Sequence, residues 1–158
     1  MTPYGHPEPV CRGANMNSVE RLAQAQRHGM HIRPETHGFP YLAEALRLAG
    51  VRLIHFDVAS GGALYVMDSG VVHQPGCPLH GEPVAVAQFD QQALVSAIDA
   101  DKAGAITFPE FLRRCWTAGV VGYDVDTIER TCTYFGAPDG RYVESYPAVT
   151  LDRLTNPG

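Results

Sequence analysis

The chain repeats itself. The stretch from Phe39 to Val66 and the stretch from Phe108 to Phe135 follow one plan at a shift of 69 positions. Phe39-Pro40 falls on Phe108-Pro109, Ala49-Gly50-Val51 on Ala118-Gly119-Val120, and Asp57 on Asp126. Each copy reads as an amphipathic helix, a glycine stop and two short alternating strands. One such unit cannot bury both its helix stripe and its sheet face, so two units must pair. That constraint sets the expected fold: α+β, a duplicated helix-helix-hairpin unit forming an antiparallel sheet with helices packed mainly on one face.

The signals along the chain fit this plan. Residues 1–16 carry three prolines and no periodicity, and read as a flexible N-terminal arm. Residues 17–158 read as one compact domain, with repeats at about 17–67 and 88–136 and a connector at 68–87. Asn17 with Glu20 predicts a capping box, and a helix follows it as far as the breaker Gly29. Leu42, Ala45, Leu46 and Ala49 give the next helix an apolar stripe, and Gly50 ends it. In the strand that follows, Ile54, Phe56 and Val58 point one way while Leu53, His55 and Asp57 point the other. The connector is rich in turn residues, with room for an edge strand or two. In the second unit Asp90 and Thr107 are N-caps, and Phe89 with Leu94 fits a hydrophobic staple. Val121, Tyr123 and Val125 oppose Gly122, Asp124 and Asp126 across the next strand, Thr131 to Phe135 closes a hairpin, and a last strand is expected within 141–149.

Composition excludes several classes. The formal net charge is -5, and Arg113-Arg114 is the only adjacent basic pair, so no nucleic-acid partner is expected. No apolar run reaches the roughly 20 residues a membrane span needs, so no membrane partner is expected either. The four cysteines, at 11, 77, 115 and 132, lack CxxC spacing. They read as buried free thiols, which suits a reducing cytoplasm.

Four patterns are candidate sites. The segment Asp99 to Glu110 matches a calcium loop at several positions, but Ala103 removes one ligand. Pro109 precedes the closing glutamate, and a helix ending at Gly104 with another capped at Thr107 is the preferred account of the segment. His31, His37, His55, His73 and His80 with Cys77 offer zinc-type donors at no diagnostic spacing. The repeat aligns His55 and Asp57 with Asp124 and Asp126, all pointing away from the helix-packed side. Gathered together, they would bind a divalent metal or run acid–base chemistry; kept apart, they are the polar outer face of a one-layer sheet. Tyr142 and Tyr146, with Tyr134 and Trp116, are either core packing or a ligand or dimer patch. No phosphate-binding glycine motif, nucleophile elbow or zinc-protease motif is present, and no metal or cofactor is expected.

The run GAITFPEFLRRCWTAGVVGYDVDTIERTCTYFGAPDGRYVESYP, together with FPYLAEALRLAGV, resembles a bacterial family of unknown function sometimes labelled phage envelope protein, to which the YbcV-like proteins of enteric bacteria are similar. The resemblance implies a compact α+β domain and no mechanism. The sequence therefore points to a small cytoplasmic protein acting as a non-catalytic binding or interaction module, either self-associating or with a protein partner. The alternative is a small metal-assisted hydrolase or lyase using His55, Asp57, Asp124 and Asp126, and residues alone do not decide whether the chain is an enzyme.

Overall fold

The computed structural model describes residues 16–151. The expected arm at 1–16 lies outside them apart from Met16. Ten elements follow in order: α1 (Ser18–Ile32), α2 (Phe39–Leu48), β1 (Val51–Asp57), β2 (Ala63–Met67), β3 (Gly70–Gln74), α3 (Gln91–Lys102), α4 (Phe108–Thr117), β4 (Val120–Asp126), β5 (Thr131–Gly136) and β6 (Arg141–Ser145). All six strands form one antiparallel sheet in the order β3-β2-β1-β4-β5-β6, so the two units meet at the central β1–β4 pair. The fold is α+β, built from two similar units, as the repeat requires.

The register shows how they meet. Across the seam Leu53 faces Asp126, His55 faces Asp124 and Asp57 faces Gly122. Shifting by 69 exchanges the first and last of these pairs and leaves His55–Asp124 on itself. An internal pseudo-twofold axis therefore passes between His55 and Asp124. Irregularities repeat as well: the register slips between Val51 and Leu53 on one side and between Val120 and Gly122 on the other. Val58 donates its amide to the Val121 carbonyl and Thr127 donates its own to the Arg52 carbonyl, both at 3.1 Å.

The helix starts obey their local chemistry. Asn17 accepts the Glu20 amide at 2.9 Å, and Asp90 and Thr107 cap α3 and α4 in the same way. Gly50 and Gly119 stop α2 and α4 at φ +100 and +80, a region that only glycine enters cheaply. Two expectations need correcting. Helix α1 runs through Gly29 to Ile32 instead of stopping, because α2 crosses at that point. A Cβ on Gly29 would stand 2.6 Å from Leu42 Cδ1. In β4, Val120 and not Val121 is the buried residue, because the register slips between Val120 and Gly122; the edge strand expected in the connector is Gly70–Gln74, paired with β2.

Helices and sheet enclose one core, in which Val51, Val58, Leu94, Cys115, Val120, Val125 and Thr127 are fully buried. An aromatic row crosses the covered face of four strands: Phe56 stacks on Tyr123 at 4.8 Å, Tyr123 meets Tyr134 at 5.3 Å, and Tyr134 meets Tyr142 at 6.4 Å. Among the described residues no helix is long and apolar enough to cross a membrane.

Candidate functional site

The outer face of the sheet, opposite the helices, carries the four residues that the repeat brings into line. His55 and Asp124 meet at the pseudo-twofold axis, with Nδ1 2.8 Å from Oδ1 and side chains 45% and 36% exposed. The other two are occupied elsewhere. Asp57 accepts the Ser60 amide at 2.9 Å, while Asp126 accepts the Ile128 and Glu129 amides at 3.0 and 2.9 Å. Both are side-chain caps of the turn that follows their strand. Because β1 and β4 are antiparallel, those turns lie at opposite ends of the seam. Four residues of strand put Asp57 and Asp126 roughly 13 Å apart. Of the four aligned residues, the structure brings two together and spreads the others.

Apolar residues stand on the same face on both sides of this seam, with His73 beside Leu64 and Arg141 beside Phe135 at the two edges. Leu64 and Val66 of β2 and Val71 of β3 lie on one flank. Phe135 of β5, directly opposite Gly122 of the seam, and Val143 of β6, beyond Thr133, lie on the other. Leu64, Val71, Phe135 and Val143 are 41, 63, 37 and 47% exposed. Sequence reasoning passed over these positions. Their signal was the absence of alternation in Ala-Leu-Tyr-Val-Met, apolar on both sides of one strand, where a half-exposed strand should show polar residues outside.

The remaining candidates lie apart from this seam. Tyr142 lies on the covered side of β6 against Tyr134, and Tyr146 sits edge-on to Phe39 at 5.3 Å, where burial pushes its hydroxyl pKa up. In the calcium-like segment, Asp99 and Asp101 belong to α3, and Glu110 pairs with Arg113 and Arg114. His73 lies on β3 and His80 contacts the Trp116 ring at 4.9 Å. Among the described residues no group of three or more His, Cys, Asp or Glu side chains is placed to hold a metal.

The interior holds a titratable cluster, in which two of the thiols expected to be buried lie with tyrosines. Cys115 and Cys132 are buried free thiols, and burial pushes both up to about 12, helped by Asp101 near the first and Glu144 near the second. Burial also raises the Tyr123 and Tyr134 hydroxyls well above their ordinary value. Asp101, half-buried at the end of α3, is raised by desolvation against the pull of Arg33. Thiols held this high stay protonated at neutral pH and are poor nucleophiles. Cys77, expected to be buried like the others, is instead exposed in the connector after β3, and Cys11 lies outside the described residues.

These features define a two-unit α+β protein with helices on one sheet face and, among the described residues, none over the other. The chain belongs to the family described as "Protein of unknown function (DUF1398)", which matches residues 31–144. It is 46% identical over 143 residues to the "Uncharacterized protein Mb2035" of Mycobacterium bovis, a match covering 90% of this chain and 87% of that protein. The "Uncharacterized protein Rv2012" of Mycobacterium tuberculosis is similar to the same extent, 46% over 143 residues. These names carry no phage or envelope designation, and the resemblance holds at the level of a family of unknown function.

Proposed function

We propose that this chain is a non-catalytic binding module of the cytoplasm that docks a protein through the open face of its sheet. The observation that carries this reading is the placement of Leu64, Val71, Phe135 and Val143, all exposed, around the His55–Asp124 pair on a face the helices leave bare. Scattered surface leucines and valines need no explanation, but several on one flat sheet face mark a contact surface. Buried free thiols at 115 and 132 suit a reducing compartment.

The hydrolase or lyase reading has less support. A His–Asp hydrogen bond is the arrangement that orients a general base. Here its cross-strand neighbours are Leu64 and Thr133. Asp57 and Asp126, which would supply further ligands or an acid, cap turns at opposite ends of the seam.

A photo-crosslinking residue placed in living cells at Leu64 or Val143, and separately at Val19 or Leu48 on the helices, tests the docking face. Discrete protein adducts are expected from the sheet positions and not from the helix positions. Equal labelling from both sets, or none from the sheet, overturns the reading.

A further inference from the structure

We propose that the open sheet face receives a basic amphipathic helix, not a second copy of this chain; the inference rests on the docking face argued above. The two flanks and the seam between them differ in chemistry. Leu64, Val66 and Val71 stand on one side and Phe135 and Val143 on the other, while Asp57, Asp124 and Asp126 run down the seam. One imidazole, His55, is the only basic group on that strip. Arg52 is bound to Asp68 through two contacts at 2.8 and 2.7 Å, and Arg141 shares the face at its edge, beside Phe135 and two strands from the seam.

Symmetry turns this charge into a choice of partner. The acidic strip straddles the pseudo-twofold axis, so it lies at the centre of the face. Any face-to-face pairing of two copies would then lay carboxylates over carboxylates, and a net charge of -5 on each chain adds to the repulsion. A partner with cations along its middle and apolar residues beside them meets the three seam carboxylates and the apolar positions on either flank. A helix offers this spacing. Lys or Arg at positions i, i+4 and i+8 spans about 12 Å, against the roughly 13 Å from Asp57 to Asp126. Leucines beside that row would reach Leu64 and Val66 on one flank and Phe135 and Val143 on the other.

The test uses the purified full chain and three synthetic peptides: an amphipathic Leu/Lys helix, its Leu/Glu counterpart, and a Leu/Lys scramble without a helical face. Fluorescence anisotropy gives affinity, and amide chemical-shift changes give the location. Asp57→Asn, Asp124→Asn and Asp126→Asn are combined in one variant, since asparagine keeps the side-chain oxygen that caps each turn. A second variant, Glu20→Gln with Glu35→Gln and Glu82→Gln, removes three charges elsewhere.

Only the amphipathic Leu/Lys peptide should bind, with shifts on β1, β2, β4 and β5, and more weakly as salt rises. The seam variant should weaken it roughly ten-fold and the control variant should not. Binding of the Leu/Glu peptide, equal loss in both variants, or shifts on the helices overturns the proposal. Sedimentation of the protein alone separates the two levels of inference. A dimer broken by Leu64→Glu would keep the docking face and discard the basic helix. A monomer whose sheet binds no peptide and gives no crosslinks in cells would discard both.

Discussion

Thr127 and Val58 are twins under the 69-residue shift, both fully buried, yet only one carries a hydroxyl. Thr127 Oγ1 donates to the Val51 carbonyl at 2.7 Å and also lies 3.2 Å from the Arg52 carbonyl. Thr127→Val gives the second unit the residue that the first already uses, at nearly the same volume. The change leaves a buried carbonyl without its side-chain donor, so stability should fall by about 1 kcal/mol. Urea denaturation checks this, and an unchanged midpoint would mean the hydroxyl contributes nothing there. The twin aspartates teach a related lesson. Asp57 and Asp126 were legible as a repeated feature, and the repeat is real, but their shared task is to cap a turn. Sequence spacing placed them correctly on the outer face. It could not show that backbone amides two or three residues further on would occupy their oxygens.

Elements were legible wherever the local signal was self-sufficient. Asn17, Asp90 and Thr107 each cap the helix they were expected to start, because an N-cap needs only its own side chain and the next amides. Gly29 misled for the opposite reason: its role lies in another element. Helix α2 approaches α1 so closely there that Leu42 Cα would lie 3.0 Å from an added Cβ. A glycine inside an exposed helix costs about 1 kcal/mol relative to alanine, so replacing it would ordinarily help. In this position the added methyl must separate two packed helices, an overpacking cost of about 1–3 kcal/mol. Gly29→Ala is therefore expected to lower the thermal midpoint despite the better helix propensity. A raised midpoint would show that α1 and α2 can part without loss. Strand β3 was hard to read for yet another reason, since a short edge strand among turn residues acquires its identity from β2.

At the scale of the whole molecule the two units share a backbone plan but not an interior. Where the first unit has Leu46, Ile54 and Ala63 on its core side, the second has Cys115, Tyr123 and Cys132. Periodicity exposed the plan because helix and strand patterning survives such exchanges. It could not expose the titratable interior, because cysteine and tyrosine read as ordinary core residues in an apolar stripe. That asymmetry makes stability depend on alkaline pH. The Cys115 and Cys132 thiols rise from 9.0 in the free group to about 12 in the fold, and burial is the main cause. The folded chain thus holds protons that the unfolded chain releases. The sign follows: their contribution is complete below pH 9 and is lost as pH climbs from 9 towards 12. Tyr123 and Tyr134, raised above 10.0, extend the same trend at higher pH. Each group that has ionised only in the unfolded chain removes about 1.4 kcal/mol of stability per pH unit. Urea midpoints measured between pH 8 and 10.5 should therefore fall increasingly steeply. The double variant Cys115→Ala with Cys132→Ala will start less stable, since it leaves space in the core, but its midpoint should fall less steeply between pH 9 and 10. That comparison of slopes is independent of the packing loss. Equal slopes would place the alkaline sensitivity elsewhere than the two thiols.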